Sequence, residues 1–361
     1  MEKILLQAFK RDTLELSNRF VMAPLTRQRA GEGLAPTAMN VTYYKQRASA
    51  GLIISEASQI SPRGLGYPNT PGIYSRQQLD GWKKVTAAVH EAGGKIYCQL
   101  WHVGRHSHPV LQAGGKLPVA PSAVKESGHV TTPAGKMEPV VPHPLSLNEI
   151  RQVIGEYKQA ALNAIEAGFD GVEIHGANSY LIDQFLHDNA NLRKDAYGGS
   201  IENKCRFALE VTEAVCEAIG SHRTGIRLSP SGTKFGIRNQ DPVATFDHLI
   251  NQLNDYALAY LHLIEPDPDS LADLPQYLKK VSPHYRNIFK GTLITSNGYS
   301  FDSAEKAILE NHADLVAFGR AFISNPDLPY RYKHDIPLNK WDISTFYGGN
   351  EKGYTDYPFA K

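Results

Sequence analysis

Eight short, nearly continuous apolar runs punctuate this chain, separated by longer amphipathic stretches, and that pattern limits the folds open to it more than any other feature. They are RFVMAPL from Arg19, GLIISEAS from Gly51, KIYCQLW from Lys95, GVEIHG from Gly171, TGIRLSP from Thr224, AYLHLIE from Ala259, GTLITSNG from Gly291 and ADLVAFGR from Ala313. Runs this narrow and this uniformly apolar suit parallel strands covered on both faces. Helical candidates lie between them: Gln77 to Glu91, Leu147 to Ala167, Ile201 to Ile219 and Phe301 to Asn311. Ser303 reads as a start signal and Gly168 as a stop. Strands alternating with helices eight times predict an α/β chain folded as a (β/α)8 TIM barrel, in one domain over residues 1–361. A doubly wound sheet is the rival, but no G-x-G-x-x-G opens a helix after the first strand.

Two segments exceed the minimal repeat. Residues before Arg19 are expected to cover the barrel floor as a hairpin. Residues 102–146, rich in Pro, Gly and His, are too long for a plain loop after strand three and are expected to act as a lid or binding loop on the C-terminal face. The 38 basic and 37 acidic residues nearly cancel, which leaves no electrostatic footprint for nucleic acid or an anionic membrane. No stretch is apolar enough for a signal segment or membrane span. Cys98, Cys205 and Cys216 lack the spacing of a disulfide framework, zinc site or iron–sulfur cluster, and a reducing cytoplasm is the expected setting.

Barrels display reactive groups where strands end. Asn297 and Gly298 follow strand seven, and Gly319 and Arg320 follow strand eight. Small residues exposing backbone N–H groups, with a guanidinium beside them, suit a phosphate; the plainer alternative is two turns and a surface cation. Arg227 is a charge inside an apolar strand, costly unless it faces a partner or a functional anion. Near a bound anion at about 4 Å such a charge is worth roughly 4 kcal/mol at an effective dielectric of ~20; a salt bridge is the alternative. His175, Asn178 and Tyr180 fall within six residues at the end of strand four. An imidazole and an amide can both donate to one oxygen, and a phenol can deliver a proton. Each alone reads equally well as cap or core. His102, His106 and His108 suggest a metal only weakly, because no acidic or cysteine partner lies nearby in sequence.

Longer motifs now bear on the question. APLTR (Ala23 to Arg27), QLWHVGR (Gln99 to Arg105), HGANSYLIDQFL (His175 to Leu186), NLRKDAYGGSIENKCRF (Asn191 to Phe207), GRAFISNPDLP (Gly319 to Pro329) and TFYGGNEKGYTDYP (Thr345 to Pro358) together resemble the old yellow enzyme family. The resemblance runs from Phe20 to about Phe359. It implies non-covalent FMN at the barrel mouth, NAD(P)H as reductant and ping-pong reduction of activated alkenes, including unsaturated carbonyls, maleimides and nitro compounds. It implies that Pro24, Thr26, Ala57, Gln99 and Arg227 surround the flavin ring, and that Asn297, Gly298, Gly319 and Arg320 hold its phosphate. His175 and Asn178 would grip the substrate oxygen, Tyr180 would protonate the alpha carbon, and Tyr67, Trp101 and Tyr347 would shape the pocket. Small-molecule partners and a monomer or homodimer are expected. Asn178 stands where many relatives carry a second His, Gly176 and Ser179 invert the usual small-residue placement, and Lys204 replaces an Arg. No cysteine cluster is present, which separates the chain from dienoyl-CoA reductase relatives. A phosphate-sugar aldolase on the same barrel needs a strand-end lysine that the eight runs do not offer. A non-catalytic flavin carrier would leave the donor pair and the phenol without purpose.

Overall fold

In the computed structural model, which describes residues 3–360, eight strands close into a parallel barrel. They are β1 (Phe20–Met22), β2 (Leu52–Ile54), β3 (Ile96–Trp101), β4 (Gly171–Gly176), β5 (Thr224–Leu228), β6 (Tyr260–Ile264), β7 (Leu293–Ser296) and β8 (Leu315–Phe318). Each strand pairs with its sequence neighbour, and β8 pairs back onto β1. The expected barrel is therefore present, with all eight runs as its staves. Met1, Glu2 and Lys361, included in the one-domain expectation, lie outside the described residues.

The helices between strands follow from capping and periodicity. They are α1 (Ala38–Lys45), α2 (Arg76–Glu91), α3 (Leu147–Glu166), α4 (Leu181–Leu186), α5 (Ile201–Ile219), α6 (Pro242–Leu253), α7 (Ser282–Arg286) and α8 (Phe301–Leu309). In α3, Ser146 and Glu149 form a capping box, and Ile150, Val153, Tyr157, Ala160, Ala161 and Ala164 face the barrel at helical spacing. The helix stops at Gly168, whose φ of 87° is the left-handed conformation a Schellman ending needs: Gly168 N–H donates to Ile165 O and Phe169 N–H to Ala164 O. One start signal is corrected. Ser300 caps α8 and Ser303 is its capping-box partner three residues on, because the first turn begins at Phe301.

The barrel interior is graded from apolar floor to polar mouth. Val21, Leu52, Ile54, Tyr97, Tyr260, Ile294, Leu315 and Ala317 form the lower core. A hairpin of Phe9–Arg11 and Leu14–Leu16 closes it from below with Phe9, Leu14 and Leu16, as expected of the N-terminal cover. The period of two along each strand then brings polar residues inward at higher levels. Gly225 makes room in this stack, since a Cβ there would come within 2.4 Å of the Tyr260 ring. Segment 102–146 is not a bare loop. It carries an antiparallel pair, Val130–Thr132 with Gly135–Met137, and its two ends are tied by a parallel contact between Val119–Ala120 and His143–Pro144.

Candidate active site

At the C-terminal end of the barrel the register sets His175 opposite Arg227 and Arg227 opposite His262. Arg227 is 8% exposed. Its Nη2 donates to Ser296 Oγ at 3.3 Å, and its Nε is buried with no partner in the protein. The salt-bridge alternative for Arg227 thus fails among the described residues. One level lower, Gln99 Nε2 donates to Glu173 Oε1 at 2.7 Å, and His262 Nδ1 lies 2.8 Å from Glu173 Oε2. Burial, then the Arg227 charge, pushes the His262 imidazole down to about 4, so the neutral ring donates through Nδ1 to the carboxylate. Gln99 sits inside β3 and not at its end, which is Trp101. Its amide nitrogen is committed to Glu173, leaving the carbonyl oxygen and the second N–H for other contacts.

His175 is 4% exposed, and its Nδ1 is enclosed without a partner. Burial, reinforced by the charges of Arg227 and Lys234, holds its pKa well below the ordinary histidine value. The ring is neutral and has a single N–H to offer. Asn178 and Ser179 follow at φ values of 59° and 66°, a left-handed pair unusual for residues other than glycine. Local bonds hold this loop: Asn178 N–H to Ser229 Oγ at 2.9 Å, Ser179 N–H to Asp183 Oδ2 at 2.8 Å and Ser179 Oγ to Lys234 O at 2.6 Å. The inverted Gly176 and Ser179 placement is thereby accounted for. Ser179 supplies a hydroxyl that offsets its strained backbone, and Gly176 is packed close to Leu228 and Ile182.

Tyr180 precedes α4 and turns its hydroxyl toward that of Tyr67, 3.1 Å away. Its ring meets Trp101 edge-on at 5.0 Å and His175 edge-on at 5.1 Å. Burial raises the Tyr180 phenol above its ordinary pKa, while the bond from Tyr67 acts in the opposite direction. His175, Tyr180, Tyr67 and Trp101 therefore form one cluster. Thr26 and Pro24, after β1, are half-buried, and Ala57, after β2, is buried. Tyr347 stands at the rim, 61% exposed, on a C-terminal segment held by Arg27, which donates from Nε to Phe346 O and from Nη2 to Gly353 O.

The two loops expected to hold a phosphate differ from one another in construction. Asn297 and Gly298 both have φ of 80°. The Asn297 amide is tied to Glu265 O at 2.7 Å, so the side chain fixes the turn and only backbone N–H groups remain to meet an anion. Gly319 caps the short helix Arg320–Ser324. Arg320 is exposed and lies 5.5 Å from the centre of the Trp341 ring. Sequence reasoning missed Glu173, His262 and Glu126. The first was detectable: Glu173 and His175 are two apart in a strand, hence on one inward face. Glu126, distant in sequence, is an acidic neighbour that the local pattern around His102, His106 and His108 does not show. His106 Nδ1 lies 2.7 Å from its Oε1, with both side chains enclosed. Among the described residues no three metal-ligating side chains converge. Lys204, in place of Arg, pairs with Asp188 at 2.7 Å, a structural role.

The chain matches the NADH:flavin oxidoreductase / NADH oxidase family over residues 5–339. It belongs to that family. Among solved structures, morphinone reductase in complex with tetrahydroNAD superposes with a TM-score of 0.93 at 47% identity, covering 99% of this chain and 98% of the other. The old yellow enzyme homologue from Zymomonas mobilis superposes equally well at 44% identity, covering 98% and 99%. By sequence, 12-oxophytodienoate reductase 1 of Oryza sativa subsp. japonica is 46% identical over 360 residues, spanning 99% of this chain and 93% of the relative. As a family member the chain is an FMN-dependent oxidoreductase of the old yellow enzyme type that draws on a nicotinamide reductant. The mouth suits such a cofactor on its own terms. An unpartnered guanidinium nitrogen beside neutral donors fits the electron-rich edge of a flavin, and the paired left-handed turn at Asn297 and Gly298 fits its phosphate. No helix among the described residues is long and apolar enough to cross a membrane.

Proposed function

We propose that the enzyme reduces activated carbon–carbon double bonds, taking hydride from NAD(P)H in one half-reaction and delivering it to the alkene in the next. The observation that carries this reading is the convergence of a neutral imidazole, His175, with the phenol of Tyr180, whose ring centroids are 5.1 Å apart, beside the buried Arg227 cation. Thr26, Pro24, Ala57, Gln99 and Arg227 are the residues proposed to surround the ring of FMN; Asn297, Gly298, Gly319 and Arg320 are proposed for its phosphate. When bound, FMN supplies the two-electron chemistry, accepting hydride from the nicotinamide and passing hydride to the beta carbon.

The protein's own groups do the rest. His175 and the Asn178 amide donate to the carbonyl or nitro oxygen of the substrate and draw charge away from the double bond, the logic of an oxyanion hole. A neutral imidazole suits this task because it binds the oxygen without handing over a proton. Tyr180 holds the proton needed at the alpha carbon, and its raised pKa keeps it protonated at working pH. Tyr67, Trp101 and Tyr347 bound the space above. Relatives named as reductases of 12-oxophytodienoate and morphinone, both oxo compounds, support an electron-poor alkene as the substrate class. Separate stopped-flow measurement of the two half-reactions tests the assignment: Tyr180→Phe should slow reoxidation by an enone by about two decades and leave reduction by NAD(P)H far less affected. Equal slowing of both would remove the role given to Tyr180.

A further inference from the structure

Tyr67 was expected only to shape the pocket, yet among the described residues its hydroxyl is the one group hydrogen-bonded to the Tyr180 hydroxyl, at 3.1 Å. The contact is held from several sides. The Tyr67 ring stacks on Trp101 at 5.7 Å with 19° between planes, and it rests against His106 at 5.0 Å. His106 is itself fixed by Glu126 at 2.7 Å and by stacking on Phe235 at 4.0 Å. Glu126 belongs to the segment 102–146, so the lid fixes the ring that fixes the Tyr67 side chain. The Tyr67 backbone is held as well, its carbonyl accepting from Thr70 Oγ1 at 3.0 Å.

A phenol that gives up its proton in an apolar cluster is left as a phenolate, and an unsolvated anion there is costly. Some group must donate to it as the proton departs. We propose that Tyr67 is a positioning residue for the proton-transfer step: its O–H donates to Tyr180 as the negative charge develops, which makes Tyr180 a competent acid. The inference rests on the reading of Tyr180 as proton donor. The balance is simple. The Tyr180 O–H bond breaks and a C–H bond forms at the alpha carbon, while hydride from the reduced cofactor forms the bond at the beta carbon. The phenolate then recovers a proton from water, directly or through the Tyr67 hydroxyl.

In the resting enzyme the two hydroxyls share one hydrogen bond of ordinary strength. Once Tyr180 is anionic the bond is charge-assisted and shorter, so its contribution grows along the reaction coordinate. Removing it should therefore lower the rate and not merely the affinity.

The test uses the FMN-loaded enzyme with Tyr67→Phe and Tyr180→Phe, following the reduced enzyme's reoxidation by cyclohexenone in H2O and D2O. Tyr67→Phe should slow this step at least tenfold relative to the NAD(P)H step, and raise its solvent isotope effect above that of the wild type, because proton transfer becomes limiting. A fall in rate with an unchanged isotope effect would mean Tyr67 acts only on pocket shape and would overturn the proposal. If Tyr180→Phe slows reoxidation while Tyr67→Phe does not, the proposal fails and the reading of Tyr180 stands. If Tyr180→Phe has no effect on reoxidation, both fail together.

Discussion

His262 Nδ1 lies 2.8 Å from a carboxylate oxygen of Glu173, with both side chains fully enclosed inside the barrel. The pair spans β5, linking β4 to β6. Gln99 completes the arrangement from the other side. This polar layer lies one level below Arg227 and supports the site from within. Its charge also acts on Arg227, where the field of Glu173 counters the cost of burying the guanidinium.

Replacing His262 with Leu removes the donor and leaves a buried carboxylate oxygen without its partner. Breaking one side of such a pair is expected to cost about 3 kcal/mol. Urea denaturation at neutral pH should show a lower midpoint with little change in slope. A loss under 1 kcal/mol would mean that Glu173 finds another donor.

The buried histidines give the fold a defined acid sensitivity. Burial pushes His102 down to about 3 and His262 to about 4, and holds His175 well below its ordinary value. Unfolded histidine titrates near 6.5, so below that pH the unfolded chain takes up protons that the fold refuses. Their contribution is complete above about pH 6.5 and is lost on acidification. Glu56 opposes this trend, since burial raises it to about 7 and its contribution is lost as pH rises from 4.5 to 7. Three groups outweigh one, and roughly 3 kcal/mol should disappear between pH 6.5 and 5. Thermal unfolding across that range checks the sign; equal or greater stability at pH 5 would contradict it.

Ser179 occupies a left-handed conformation and recovers part of the cost through its bond to Lys234 O. Ser179→Ala keeps the strain and loses the bond, so it should destabilise by about 1–2 kcal/mol. Ser179→Gly loses the bond and also relieves the strain, and should stay within about 1 kcal/mol of the parent. Melting temperatures of the two variants decide between these outcomes; identical shifts would show that backbone strain is not the issue.

Arg227 is proposed to favour the negative charge that a flavin gains on reduction. Arg227→Met should lower the midpoint potential of bound FMN and weaken its retention on dialysis. An unchanged potential with retained cofactor would place the guanidinium's role elsewhere.

How much of this was legible beforehand follows from the physics of each feature. The barrel was readable because eight buried parallel strands must each be apolar over several residues, and nothing in between imitates them. Arg227 stood out for the opposite reason, as a charge where none is tolerated without cause. Ser303 was mistaken for a cap because Ser300 and Ser303 are both good helix starters, and only the position of the first hydrogen-bonded turn separates them. The pairs Glu173–His262, His106–Glu126 and Tyr67–Tyr180 were out of reach. They join residues 89, 20 and 113 positions apart, and single-sequence patterning carries no information on contacts of that range. The capture of the Asn297 amide by Glu265 O was equally hidden, because nothing local to either residue reveals it.

The central claim is that hydride passes through this site from a nicotinamide to an electron-poor alkene. Anaerobic titration of the yellow, FMN-loaded enzyme tests it most directly. Addition of NADPH or NADH should bleach the flavin absorbance, and cyclohexenone should then restore it within the turnover time while the saturated ketone forms in equal amount. Bleaching that only oxygen reverses, with no saturated product, would contradict the account.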